Sequence, residues 1–518
     1  MQNNDDLFIP AEPVSTEEYI IPQDPSVENT IDSTRKKSKS KFWPIFGIVS
    51  GAVVLTSVII AVIVVFLSGS KYIEQETDYI AFTTGYDTVI VCENGEEIDT
   101  EIPGKRVNFV TGINGDSALL TTAKNTEDAN SPKDLYHIED GEATYITGEA
   151  KSFRLSAEGN SALYLSGASA LNKIEFKHDK TTYIADQVSD YEISPDGSAA
   201  AYTVPGYGYT SVYYFNGSES ILIDDNFPAN TTILGLSDKG NYIYIKGNSD
   251  EEAGPLYRYT RKNNEYVELC NNFNYIICFN YNNTQILYTE ADGSTYIAEK
   301  DDSAKQVSAF TVTPHMSART GSCDYTYGIK NLCDSFYSSA EANNTKKLYY
   351  LDKKAVLHTL TENAVNFITI SYDGDTAYFL TIGKNLYMLK AKANANGILL
   401  AENVDNFAIS TDSAQLYFII DGTLYYGFNE LLSREVMSAS FEKITVLDDD
   451  ICVFSCSSGT YKCRKGRNVS ILEYGSVDFF SYPNSLFFYK EIRSDMYELY
   501  SFDGEEGFEL IGSSSRFY

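Results

Sequence analysis

The chain has 518 residues and a formal net charge of −32, with 72 acidic residues against 40 basic ones. A surface this acidic argues against contact with a phosphate backbone, which needs clustered Lys and Arg, and against adhesion to anionic lipid. It favours a soluble surface, which either has no charged ligand or faces cationic partners or divalent ions.

Residues 1–41 are predicted to be a disordered cytoplasmic tail. They combine four prolines with acidic, Ser, Thr and Asn residues and show little apolar periodicity. The tail either recruits a cytoplasmic partner or only sets the topology of the chain.

Residues 42–70 form an uncharged stretch directly after the basic cluster at 35–41. Its apolar body, 43–67, is about 37 Å long as a helix, which suffices to cross a bilayer core of ~30 Å. Basic residues beside a span stay cytoplasmic, so the pattern predicts one transmembrane helix with the amino terminus inside and residues 71–518 outside. A cleaved signal peptide is the alternative, although its apolar region would be shorter and nearer the start of the chain.

From about Val107 onward the sequence repeats one pattern: an alternating apolar run, a turn built on Asp, Asn or Gly, and a second alternating run rich in Tyr and Phe. The clearest copy, Tyr191–Val204, carries Ser-Pro-Asp-Gly at Ser194–Gly197. Pro presets φ and Gly accepts positive φ, so this copy predicts two strands joined by a tight turn. Degenerate copies begin at Phe153, Ile233, Ile277, Ile368 and Phe407.

These turns recur roughly every 40 residues, which predicts ten units, and residues 72–104 supply either a partial eleventh unit or the strand that closes a ring. Each unit has room for four short strands. In the clearest copy the predicted strands are Tyr191–Ser194, Ala199–Val204, Ser211–Phe215 and Ser220–Ile223. A divergent unit, which follows an irregular insertion near Pro314–Cys323, has its strands predicted at Tyr327–Lys330, Ser335–Ser338, Leu348–Leu351 and Val356–Leu360.

A period near 40 with four strands per unit is typical of β-propeller blades, which stack radially because one sheet cannot bury both of its faces alone. The sequence therefore predicts an all-β propeller at 71–518, in one large ring or two. The 41 Tyr and 28 Phe residues are predicted to fill the space between the blades. Ser194–Gly197 and its flanking runs resemble the TolB-type, WD-repeat-like propeller repeat, and that resemblance implies a binding or scaffolding platform.

All eight cysteines follow the predicted span. Disulfides and buried free thiols both remain open, because location outside a membrane permits bridges while connectivity cannot be read from sequence. The close spacings suit three local bridges: Cys270/Cys278, Cys323/Cys333 and Cys456/Cys463.

A membrane-anchored propeller also looks like the amino-terminal half of dipeptidyl-peptidase-type enzymes, in which a hydrolase domain follows. The sequence contains no G-x-S-x-G motif, which the nucleophile of such a domain requires. Three groups of adjacent carboxylates are predicted to lie in turns: Asp224/Asp225, Asp301/Asp302 and Asp448/Asp449/Asp450. No catalytic, cofactor-binding or metal-ligating residue is assigned, no cofactor is implied, and the binding residues are left open.

The sequence thus predicts a membrane-anchored extracytoplasmic β-propeller that is not an enzyme. It is expected to bind a protein, peptide or glycan ligand at the propeller mouth and no nucleic acid. One alternative is a propeller hydrolase or lyase with a dispersed acidic site near the ring axis. The other is a transmembrane sensor that signals through a helix pair at Gly47 and Gly51 and the tail.

Overall fold

The computed structural model of the chain describes Lys71 and most of residues 79–517. These described residues belong to one compact unit, Gly69–Tyr518. The predicted tail at 1–41 and the predicted transmembrane helix at 42–70 lie outside them. Within the described part, no helix combines the length and apolar character needed to cross a membrane. The internal segments outside the description are 85–87, 94–95, 104–106, 113–116, 124–131, 248–252, 301–302, 316–328, 341–344, 362–364, 372, 411–414, 428–431, 448–450, 475–477, 482–485, 494–495 and 503–507.

The prediction of an all-β fold is confirmed. The described residues form seven antiparallel sheets, and their helices are two single 3-10 turns at Phe176–His178 and Asp238–Gly240. The chain begins with β1 (Tyr79–Thr84), β2 (Thr88–Glu93) and β3 (Glu96–Pro103). The next sheet contains β4 (Val107–Thr111), β5 (Ser117–Thr122), β6 (Lys133–Glu139), β7 (Glu142–Leu155), β8 (Ser161–Ser166), β9 (Leu171–Glu175) and β10 (Lys180–Ala185).

The middle of the chain forms three further sheets. One contains β11 (Asp190–Ile193), β12 (Ala200–Pro205), β13 (Tyr209–Phe215) and β14 (Ser220–Pro228). The following sheet contains β15 (Thr232–Leu236), β16 (Tyr242–Lys246), β17 (Gly254–Thr260), β18 (Glu265–Phe279), β19 (Gln285–Glu290), β20 (Thr295–Glu299) and β21 (Lys305–Ser308). The third contains β22 (Thr313–Pro314), β23 (Ser335–Ala340), β24 (Lys346–Leu351), β25 (Leu357–Thr359), β26 (Val365–Ile370), β27 (Thr376–Thr381), β28 (Leu386–Lys390) and β29 (Ile398–Ala401).

Two four-stranded sheets follow, and the last strands return to the first sheet. The four-stranded sheets contain β30 (Val404–Ile409), β31 (Leu416–Ile420), β32 (Thr423–Tyr426) and β33 (Arg434–Ser438), then β34 (Phe441–Val446), β35 (Ile451–Cys456), β36 (Gly459–Arg464) and β37 (Arg467–Tyr474). The final strands are β38 (Asp478–Ser481), β39 (Leu486–Arg493), β40 (Met496–Phe502) and β41 (Phe508–Phe517). They join β1–β3 in one sheet of order β3-β2-β1-β41-β40-β39-β38.

Three long strands each serve two neighbouring groups of strands. β7 pairs with β6 up to Ala150 and with β8 from Ala150 onward, and β18 makes the same change at Phe273. β41 pairs with β40 up to Ser514 and with β1 from Ser514 onward. The sheets therefore divide into four-stranded units, in which the fourth strand of one unit can run directly into the first strand of the next.

Counted in this way, the described residues form eleven units, because the end of β41 supplies the first strand for β1–β3. Unit 1 contains the end of β41 with β1–β3, and units 2 and 3 share β7. Unit 4 is β11–β14, and units 5 and 6 share β18. Units 7 to 11 are β22–β25, β26–β29, β30–β33, β34–β37 and β38–β41.

The clearest repeat copy is unit 4, and its strands lie where the alternation predicts them. The prediction of a first strand at Tyr327–Lys330 in the divergent unit is wrong: in its described part Ile329 makes only an isolated bridge, and the first strand of unit 7 is Thr313–Pro314. Proline lacks a backbone donor, so it does not signal a strand in the sequence, yet an edge strand tolerates it.

The core lies between consecutive units. Second strands are the most buried, and β5, β8 and β35 are buried at every position, whereas fourth strands such as β14 and β37 are largely exposed. Neighbouring sheets thus cover both faces of a second strand, which explains its continuous apolar run in the sequence.

One aromatic pair recurs between the second and third strands of five units, with ring centroids 5.1–5.7 Å apart and nearly parallel planes. Each pair joins residues directly opposite in the strand register, and in each pair the second-strand ring is buried and the third-strand ring is half-buried. The pairs are Tyr202/Tyr213, Tyr288/Tyr296, Phe379/Tyr387, Phe418/Tyr425 and Phe454/Tyr461.

Candidate functional site

The turn between the first and second strands is built in the same way in several units. In unit 4 the Ser194 hydroxyl oxygen accepts the amide of Ala199 at 2.9 Å, and the Gly197 amide donates to the Ser194 carbonyl at 2.8 Å. Gly197 has φ +68°, a conformation that glycine adopts without steric cost. The Asp196 carboxylate accepts the Ser194 hydroxyl at 2.7 Å, which fixes the turn from inside.

Other units keep this turn although their sequences have diverged. A Ser or Asn side chain at the first position accepts an amide five residues later, at 2.8–3.2 Å. The fourth position has positive φ and is Gly or Asn. First positions are Ser156, Ser237, Asn280, Ser371 and Ser410, and described fourth positions are Gly159, Gly240, Asn283 and Gly374.

Hydrogen bonds link the turns of units 3 to 6 to one another and continue to units 7 and 8, and we call this connected row the turn belt. In units 3 to 5, the Glu158 amide donates to the Pro195 carbonyl at 3.0 Å, and the Lys239 amide donates to the Asp196 carboxylate at 3.2 Å. Towards unit 7, the Asp238 amide donates to the Asn282 carbonyl at 3.3 Å and the Tyr281 amide to the Ile329 carbonyl at 2.9 Å. The belt therefore holds neighbouring units in register.

Lys71 completes the belt between units 7 and 8. Its carbonyl accepts the Lys330 amide at 2.9 Å, and its own amide donates to the Asp373 carbonyl at 3.4 Å. Its side-chain Nζ lies 3.0 Å from Asp334 Oδ1 and 2.9 Å from Asp375 Oδ1. The belt carboxylates of this region thus hold an ammonium group that comes from far away in the chain.

Three further carboxylates stand on the belt in units 3, 4 and 5. Burial, followed by the charges of Asp196 and Glu158, raises the pKa of Asp238 to about 6. Burial and then Asp196 also raise the pKa of Glu158. Burial opposes ionisation of Asp196 too, but hydrogen bonds from Ser194, the Lys239 amide and Ser198 outweigh it and lower its pKa. Mutual repulsion at this acidic cluster would be relieved by a bound cation.

A second polar cluster lies between the first strands of units 3 and 4. Arg154 Nε donates to Glu192 Oε1 at 2.9 Å, and the Tyr191 and Ser152 hydroxyls lie 2.7 Å apart. Burial raises the pKa of Glu192 to about 7, although the Arg154 charge opposes the shift. Asp190 Oδ2 accepts the Ile233 amide at 2.7 Å, so unit 5 is tied to the same cluster.

The sequence analysis predicted neither the ion pairs of Lys71 nor the ion pair between Arg154 and Glu192. Lys71 gives no local signal, since its partner Asp334 is 263 residues away. Arg154 and Glu192 did leave a signal: both stand two residues before the turn serine of their repeat copy, so aligned repeats place opposite charges on neighbouring first strands.

Of the three carboxylate groups that were predicted to lie in turns, the described residues include only Asp224/Asp225. The prediction that Asp224/Asp225 lie in a turn is wrong, because both stand on β14 where the register with β13 shifts, and a β-bulge there takes the place of a turn. Asp301/Asp302 and 448–450 lie outside the described residues. In the described chain, no three His, Cys, Asp or Glu residues are grouped so that they could hold a metal ion.

The six cysteines whose side chains the structure describes are free thiols, so the suggested bridges Cys270/Cys278 and Cys456/Cys463 are not formed. Cys270 and Cys278 both lie on β18, and Cys456 faces Gly459 across the hairpin. The partner proposed for Cys333, Cys323, lies outside the description.

Comparison with known proteins gives distant structural likeness alone. No family model and no curated protein matches the chain. Among solved structures, a eukaryotic initiation factor shares 12% identity over 64% of this chain and 90% of its own length, with a TM-score of 0.41. TolB from Acinetobacter baumannii shares 14% identity over 44% of this chain and 62% of its own, with a TM-score of 0.28.

A third similar structure corrects one prediction. The GH74 enzyme of Niastella koreensis shares 11% identity over 83% of this chain and 84% of its own, with a TM-score of 0.29. The categorical prediction that the chain is not an enzyme is therefore withdrawn. Its basis was the missing G-x-S-x-G elbow, which excludes one class of hydrolase and says nothing about acid–base chemistry from dispersed carboxylates.

Proposed function

We propose that this chain is a membrane-anchored, extracytoplasmic β-propeller that binds a cationic segment of a protein or peptide on its turn belt. The anchor is the uncharged stretch at 42–70, and the basic cluster before it sets the amino terminus inside. The binding surface is the belt around Glu158, Asp196 and Asp238. The observation that carries the proposal is the ammonium group of Lys71, which the same belt already holds between Asp334 and Asp375.

Several contacts support arranging the eleven units in one ring. Consecutive units share apolar clusters, such as the one that packs Leu163 of unit 3 against Tyr191 and Tyr202 of unit 4. First strands are tied side by side by Arg154–Glu192 and by Lys443–Asp478. Pairing of β41 with β1 supports closure of the ring, since it leaves no unpaired edge between the last unit and the first.

Charge complementarity supports a cationic partner. The pKa values of Glu158 and Asp238 are raised first by burial and then by like charge, and a lysine or arginine side chain would relieve the repulsion between the carboxylates. Lys71 supplies a precedent within the turn belt, where Asp334 of unit 7 and Asp375 of unit 8 hold its ammonium group. A net charge of −32 would also steer a basic partner towards the protein.

The test is binding of a labelled oligolysine peptide to the purified full-length protein in mild detergent, followed by fluorescence anisotropy. We expect binding that weakens with added salt, and a loss of about two- to fivefold for Glu158→Gln and for Asp238→Asn. Asp225→Asn removes the same charge from the exposed fourth strand of unit 4 and should leave the affinity unchanged. Equal affinities for all three variants, or no binding at all, would contradict the proposed surface.

The topology is tested separately by epitope tags at the two ends of the chain in intact cells. A tag after Tyr518 should be reached by antibody from outside, and a tag before residue 1 only after permeabilisation. The reverse pattern would reject the extracytoplasmic location without bearing on the oligolysine result.

Acid–base catalysis at the first strands is a second candidate, and the raised pKa of Glu192, about 7, favours it. A carboxyl that titrates near neutral pH can act as a general acid. Chromogenic glycosides and esters are suitable probes. Turnover that is abolished by Glu192→Gln and kept by Asp225→Asn would support this candidate, and absence of turnover by the unaltered protein would remove it.

A further inference from the structure

Two buried cysteines stand directly opposite each other in unit 10. Cys452 on β35 and Cys463 on β36 are register partners, with fractional exposures of 0% and 2%. Their thiols are hydrogen-bonded to each other, and the Tyr417 hydroxyl lies 4.0 Å from Cys463 Sγ. Both side chains therefore occupy the apolar cluster that unit 10 shares with unit 9.

The register fixes the backbone separation of this pair. Cys456 and Gly459 flank a two-residue turn, so they form a hydrogen-bonded pair, and counting back along the uninterrupted ladder makes Cys452/Cys463 a pair of the same type. Such pairs have Cα atoms about 5.5 Å apart, within the range of about 4.4–6.8 Å that disulfides span. Cys456 is four residues away from Cys452 along the strand, about 13 Å, so it is out of reach of Cys463.

We propose that Cys452 and Cys463 are joined by a disulfide when the protein meets an external disulfide such as oxidised glutathione. The Cys463 thiolate attacks one sulfur of the external disulfide, whose S–S bond breaks and releases one thiolate. The Cys452 thiol then loses its proton and attacks the mixed disulfide at Cys463, which releases the second thiolate. Two protein thiols are oxidised and one external disulfide is reduced to two thiols.

The surroundings assign the roles of the two sulfurs. The hydrogen bond from Cys452 and, further away, the charge of Arg434 lower the pKa of Cys463, while burial raises that of Cys452. Cys463 is therefore the first nucleophile. Access requires opening at the outer side of unit 10, where β37 is mostly exposed and pairs with β36 alone.

The test is peptide mapping of the full-length protein after equilibration with oxidised glutathione, followed by denaturation and alkylation without reduction. We expect a cross-linked peptide pair that contains Cys452 and Cys463 and lacks two hydrogens, while Cys456 remains available for alkylation or glutathione. In Cys452→Ser the cross-link should disappear and Cys463 should carry glutathione, whereas Cys456→Ser should keep the cross-link. Alkylation of both Cys452 and Cys463 in the unaltered protein, or a link from Cys463 to Cys456, would overturn the proposal.

Discussion

Gly197 offers the sharpest test of how the turn belt holds neighbouring units. A Cβ at this position would lie 2.0 Å from Ser161 Oγ and 2.2 Å from Asn160 Oδ1, both in unit 3. The two side chains make inter-unit hydrogen bonds: Ser161 Oγ donates to the Gly197 carbonyl at 3.1 Å, and the Nδ2 of the same Asn160 amide donates to the Asp196 carbonyl at 3.2 Å. Gly197→Ala therefore has to displace both bonds and adopt φ +68°.

The cost can be worked out from these contacts. A non-glycine residue in the left-handed region loses about 1–2 kcal/mol. Losing two hydrogen bonds adds about 1 kcal/mol each, so Gly197→Ala should destabilise the protein by about 3–4 kcal/mol. Gly208 is the matched control, because it has φ +82° and nothing within 4 Å of an added Cβ. Gly208→Ala should therefore cost only the conformational part, about 1–2 kcal/mol.

Equilibrium unfolding in urea, followed by far-UV circular dichroism of the full-length protein in detergent, measures both variants. The reduced entropy of the unfolded chain affects both substitutions alike, so it cancels in their difference, which we expect to be about 2 kcal/mol. If Gly208→Ala is as destabilising as Gly197→Ala, the close approach of neighbouring turns is not what requires glycine, and the belt does not hold the units together.

Three other predictions concern the described contacts. Glu192→Gln should gain thermal stability relative to the unaltered protein as the pH rises from about 4.5 to 7. Because the pKa of Glu192 is raised in the folded state, that state binds the proton more tightly, and ionisation costs the unaltered protein stability in this window. A difference in melting temperature between the two proteins that does not change with pH would contradict this prediction. Lys71→Ala should lower the melting temperature, with a loss of about 1–3 kcal/mol in unfolding free energy, because Asp334 and Asp375 lose their shared cation. Lys353→Ala is the control: the Lys353 side chain is 78% exposed, so its loss should have little effect. Equal losses for the two variants would refute a special role of Lys71. Phe454→Ala should lower the free energy of unfolding in urea by about 3–5 kcal/mol, because Phe454 is fully buried between units 9 and 10. Tyr474→Ala, at a position that is 79% exposed, should be nearly neutral. A small loss for Phe454→Ala would contradict the conclusion that this ring belongs to the core.

The features that the sequence predicts well are those with local causes. Ser194, Asp196 and Gly197 specify a tight turn through their own hydrogen bonds and φ preference, so the turn and the strands beside it could be located without coordinates. The alternation of apolar residues then identified the strands of unit 4 within a few residues.

The features that were missed depend on how strands and units pair, which the local preference of a residue does not encode. The partner of Lys71 is set by how unit 7 folds, which no local pattern encodes. Asp224 and Asp225 have turn-forming side chains, but the pairing of β14 with β13 extends the strand through them as a bulge. Cysteine spacing suggested Cys456/Cys463, whereas the two-residue turn at Ser457 and Ser458 decided the register and brought Cys452 opposite Cys463.

The sheet that β38–β41 share with β1–β3 makes the pairing of early strands depend on a strand that is synthesised more than 400 residues later. Among the described strands β1 is synthesised first, but it obtains its partner β41 only once Phe508–Phe517 have emerged, so β1–β3 keep an exposed edge until then. A premature stop anywhere before Phe508 would therefore damage the amino-terminal sheet as well as the carboxyl-terminal one.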